Sequence, residues 1–67
     1  MNLVEGLTTE IVRVTEILRV YKEVPGIAGF LAAMIMEKSL EKAMKAQAYG
    51  DVVEMLASFN ELKEYEL

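Results

Sequence analysis

The sequence predicts an all-α fold of three helices, at about residues 3–23, 28–49 and 52–64. Two kinds of observation predict it. Apolar residues recur at helical spacing over most of the chain, and no segment alternates in the two-residue period of a strand. Pro25-Gly26 and Gly50-Asp51 then cut that helical pattern into three.

The first helix opens at Asn2, whose side chain suits an N-cap, with Glu5 three residues on as in a capping box. Val4, Leu7, Ile11, Val14, Leu18 and Tyr21 follow in 3-4-3-4-3 spacing, which is a heptad seam. Leu3, Ile17 and Val24 widen the seam on one side, while Val12 and Val20 fall off it. The β-branched residues lower helix propensity, but the spacing excludes a strand, so period decides.

Pro25 disfavours helical backbone at Val24, and Gly26 turns without a Cβ clash. The second helix has two unlike halves. From Ile27 to Met36 nearly every side is apolar, with Ile27, Phe30, Leu31, Met34, Ile35 and Met36 set among Gly29, Ala32 and Ala33. From Glu37 it turns amphipathic, with Leu40, Ala43, Met44 and Ala48 expected inside and Glu37, Lys38, Glu41, Lys42 and Lys45 outside. Gly50 suits the left-handed position after a helix, Asp51 the N-cap of the next, and Glu54 completes a capping-box spacing. The third helix is expected to bury Val52, Met55, Leu56, Phe59 and Leu62. Glu64, Glu66 and the terminal carboxylate crowd its negative end, which predicts fraying there. The short connection implies that helices two and three form an antiparallel hairpin.

A single domain of 67 residues without cysteine sits near the lower limit of what folds unaided. Its first helix, about 30 Å long by rise per residue, carries a full seam, and the third spans only about two-thirds of that length. One chain then has too little helix to cover the apolar Ile27–Met36 half. The sequence therefore predicts completion of the bundle by a second copy, as a twofold dimer or a higher symmetric assembly, with Phe30, Leu31, Met34 and Ile35 at the contact. The alternative is a monomeric three-helix bundle with some apolar residues on its surface.

The chemistry of the chain is narrow. It has no histidine and no cysteine, so the usual nucleophilic triads and zinc sites cannot be built, and no catalytic, metal or cofactor site is expected. Ser39 and Ser58 have no base beside them except lysines on faces that read as solvated. Glu37 with Glu41, and Glu61 with Glu64, pair on helix faces, but interleaved lysines compete for the first pair and no histidine completes a di-iron set. Gly26-Ile27-Ala28-Gly29 lacks the length and the Lys-Ser/Thr ending of a phosphate loop and reads as punctuation and close packing. Met34, Met36, Met44 and Met55 read as filler of a methionine-rich interior.

Lys38, Lys42 and Lys45 form a basic stripe that would offer a small anion or a nucleotide a site if stripes converged in an oligomer; otherwise Glu41 pairs with Lys45 and the rest are solvated. With seven basic and eleven acidic residues, the net charge of −4 argues against nucleic acid and anionic membrane as partners. The run from Val24 to Met36 is too short and too broken to span a bilayer, where about 20 residues are needed. The opening residues have no basic segment followed by an apolar stretch, so a cytoplasmic protein is expected.

Asn2-Leu3-Val4-Glu5-Gly6-Leu7, Glu10 to Glu16, Ala33-Met34-Ile35-Met36, Gly50 to Leu56 and Glu61 to Tyr65 together resemble a group of short helical proteins encoded by tailed phages and prophages. The likeness spans most of the chain and consists of packing and capping motifs. It implies an accessory phage product in the bacterial cytoplasm and brings no activity or functional residue with it. The expected partners are a second copy and a host or phage protein. An inhibitor of a host defence protein would use the acidic set Glu5, Glu10, Glu16, Glu23, Asp51, Glu54, Glu61 and Glu64.

Overall fold

The computed structural model describes residues 2–66, and among them there are three helices and no strand. Helix α1 is Leu3–Lys22, α2 is Ile27–Tyr49 and α3 is Val52–Lys63. Each pair of helices is in contact. The longest dimension of the molecule, 37 Å, is close to the length of α2, about 34 Å by its rise.

The helix ends follow local chemistry. Asn2 accepts a hydrogen bond from the Glu5 amide at 2.8 Å, and its own side-chain amide donates to the Glu5 carboxylate at 3.3 Å. The return arm of this capping box thus runs to the side chain of the cap rather than to its backbone. Asp51 caps α3 by accepting from the Glu54 amide at 3.1 Å. Gly50 is left-handed (φ 68°, ψ 27°). Its amide donates to the Gln47 carbonyl and the Asp51 amide to that of Ala46, the paired bonds of a Schellman turn. Gly26, at φ 92°, precedes α2 with no side-chain cap. Helix α1 stops at Lys22: the Glu23 and Val24 amides close its last turn on the Val20 and Tyr21 carbonyls at 3.1 Å, and Pro25 has no amide to continue it. Helix α2 starts at Ile27, and α3 ends at Lys63.

The core is Leu7, Val14, Ile17 and Leu18 of α1, Ala33, Met36, Leu40, Ala43 and Ala46 of α2, and Met55 and Leu62 of α3. Leu3, Ile11, Tyr21, Phe59 and Tyr65 pack against it half-buried. Gly29 is buried against the turn before it, where a Cβ would lie 2.7 Å from the Val24 carbonyl oxygen. That close approach supports the reading of this glycine as a packing position.

Several apolar residues expected inside lie outside. Val4 and Val24 of the α1 seam are exposed, as are Met44 and Ala48 of α2 and Val52 and Leu56 of α3. Of the four methionines expected in the interior, Met36 and Met55 are buried and Met34 and Met44 are not. The reason is geometric. Three helices meeting at one axis each bury a narrow stripe, and residues that sit one turn-edge off that stripe stay wet. Two serines, Ser39 and Ser58, are buried instead.

The expected fraying of α3 meets an opposing feature. Arg13 of α1 donates to the Leu62 carbonyl at 2.8 Å and the Tyr65 carbonyl at 2.7 Å, while Glu10 holds the same guanidinium at 2.8 Å. A cation therefore sits where the helix dipole is negative, as a second donor to the Leu62 carbonyl, which also accepts from the Tyr65 amide at 3.1 Å, and as a donor to the Tyr65 carbonyl just past the helix end. The Tyr65 hydroxyl shares a 2.8 Å hydrogen bond with the buried Ser39 hydroxyl, which donates to Glu61 at 3.3 Å. Glu61 also takes the Lys42 ammonium at 3.3 Å. The last turn is held from both neighbouring helices.

Candidate functional site

Helix α2 buries Gly29, Ala33, Met36, Leu40 and Ala43. At about 100° per residue, these mark one side of the helix. Ile27, Phe30, Leu31, Met34 and Ile35 centre on the opposite side, roughly 180° away. They are 74, 62, 50, 51 and 59% exposed respectively. Helices α1 and α3 lie against the core stripe, and α1 touches this side only at its edge, where Tyr21 lines a groove with Phe30 and Met34.

This face is the most extensive apolar surface on any one element. Each side chain leaves on the order of 100 Å² in water, so the five together expose roughly 500 Å², toward the upper end for one patch on a monomer. Where α1 meets α2, a groove of about 250 Å³ lined by Tyr21, Val24, Gly26, Phe30, Ala33 and Met34 adjoins it. Lys22 bridges to Glu37 at 3.0 Å along the groove's edge.

Two to three turns further on, the same outward face becomes cationic. Lys38, Lys42 and Lys45 are exposed and share the azimuth of Leu31 and Met34. The expected Glu41–Lys45 pair is absent among the described ion pairs; Lys42 instead reaches across to Glu61 of α3. A cleft of about 230 Å³ beside the stripe is lined by Lys42, Lys45, Ala46, Tyr49, Asp51 and Glu54. Its two ammonium groups face two carboxylates, so its field is mixed and does not select an anion.

The carboxylates are similarly engaged. Glu10 holds Arg13, Glu16 and Glu23 flank Arg19 at 3.2 and 4.0 Å, Glu37 takes Lys22 and Glu61 takes Lys42. Of the eight positions of the expected acidic surface, Glu10, Glu16, Glu23 and Glu61 therefore face a cation, and half of that surface is broken into pairs. Among the described residues, no three Asp or Glu side chains converge as metal ligands would. The Ser39 hydroxyl is occupied by Tyr65 and Glu61, and Lys63 lies over the Phe59 ring at 5.2 Å from its centroid.

Arg13 is the residue that sequence reasoning missed. Its partners stand 49 and 52 positions away, and nothing in the local pattern distinguishes it from Arg19. No helix is long and apolar enough to cross a membrane among the described residues. No family model matches the chain, and neither a curated protein nor a solved structure matches it.

Proposed function

We propose that this protein is a non-catalytic helical module that pairs with a second copy of itself through the outward face of α2 and acts through protein–protein contacts. The observation that carries this reading is the placement of Phe30, Leu31, Met34 and Ile35, each half or more exposed, on the side of α2 opposite the core. Two such faces pressed together bury roughly 1,000 Å², the floor for a specific interface. In the paired molecule, α2 and α3 act as an antiparallel hairpin, a reading supported by the tight Gly50 turn and the Lys42–Glu61 and Ser39–Tyr65 contacts.

Light scattering behind a sizing column tests the pairing. A mass near twice 7.5 kDa is expected at micromolar concentration, and Phe30→Glu is expected to reduce it to a single chain. A wild-type mass near 7.5 kDa at that concentration rejects the reading.

The resemblance to short phage and prophage proteins supports a role as an accessory product in the bacterial cytoplasm, contacting a phage or host protein. An acidic inhibitor of a host machine is less favoured, because arginine and lysine partners neutralise much of that surface. A small anion or nucleotide beside Lys42, Lys45 and Tyr49 is less favoured as well, because Asp51 and Glu54 line the same cleft.

A further inference from the structure

We infer that the second copy lies antiparallel to the first along α2, with the twofold axis passing at Leu31. This rests on the reading of the outward face as a self-pairing surface, and the distribution of charge along that face is what sets the register.

The face is apolar from Ile27 to Ile35 and net cationic from Lys38 to Lys45, where three lysines accompany Glu41. A parallel pair would set Lys38, Lys42 and Lys45 against the same three lysines across an interaxial distance of about 8–10 Å. An antiparallel pair overlapping the whole of α2 would centre near Lys38. Leu31 would then face the partner's Lys45, and Met34 the partner's Lys42, which presses ammonium groups onto oil. Centring the axis on Leu31 avoids both. Ile27 then faces the partner's Ile35, and the apolar stretch covers itself end to end. The lysines run past the start of the partner's helix into water. The twofold carries the two lysine stripes to opposite ends of the dimer, so they do not converge on a shared ligand.

The chain has no cysteine, so Lys45→Cys offers a single site for a spin label. The distance between labels on the two copies then reads the register. Residues 31 and 45 are 14 apart, so the inferred register places the two labels 28 residues apart along the axis, about 42 Å at the helical rise. Full overlap gives about 21 Å and a parallel pair about 10 Å. A peak near 42 Å in a sample whose mass is that of a dimer supports the inference. A peak near 21 or 10 Å, or a dimer with no peak near 42 Å, overturns the register and leaves the pairing standing. A single-chain mass with no distance at all overturns the pairing itself.

Discussion

The guanidinium of Arg13 reaches two carbonyl oxygens at the end of α3 and a carboxylate on its own helix. An alanine in its place removes both of these hydrogen bonds and takes a cation from the negative end of a helix dipole. The expected cost is about 1–2 kcal/mol. Lysine recovers only part of it, since a single ammonium cannot span the fork that a planar guanidinium makes. Urea unfolding of Arg13→Ala and Arg13→Lys measures both, and an alanine variant as stable as the parent contradicts this account. Such a contact lies beyond sequence reasoning, because it joins positions that only the packed fold brings together. Gly29 differs in degree. Its spacing from Pro25-Gly26 hinted at close packing, and the structure supplies the neighbour, the Val24 backbone.

At the scale of the element, the three helices and both interruptions were legible because caps and turns are local. Asn2, Asp51 and Gly50 each act within three to five residues of themselves, and their chemistry is written in their own side chains or in the lack of one. The faces were legible only in part. Period assigns a residue an azimuth but not the width of the stripe that neighbours will cover, which is why Val4, Met44, Val52 and Leu56 were placed inside and lie outside. Helix α2 shows the distinction in energetic terms. Leu40 is 4% exposed on the core side and Leu31 is 50% exposed on the other. Truncating Leu40 to alanine is expected to cost about 2–5 kcal/mol through lost burial and the cavity left behind. Leu31→Ala, measured at nanomolar concentration where a weak dimer has dissociated, is expected to stay within about 0.5 kcal/mol of the parent. Equal losses at the two positions would mean that the outward face is covered within the single chain.

For the whole molecule, the balance is set by size. A chain of 67 residues has room for one small core, and among the described residues 11 apolar side chains form it. At this length a core alone rarely supplies more than about 3–5 kcal/mol. Pairing through α2 links stability to mass action, because the partner binds the folded chain and not the unfolded one. The midpoint of thermal unfolding is therefore expected to climb as protein concentration is raised a hundredfold, and to become independent of concentration in Phe30→Glu. A wild-type midpoint that does not move with concentration speaks for a chain that is self-sufficient.

Helix α2 is bounded at both ends by glycines with positive φ, Gly26 and Gly50. Its oily and cationic halves therefore share one azimuth only while the count of residues between them is kept. One residue inserted between Met36 and Lys38 would swing the lysines about 100° around the axis, whereas the same insertion in either connection would leave that alignment intact. Changes in chain length are thus far better borne beside those glycine stops than between them, although the helix between them shows half its girth to water.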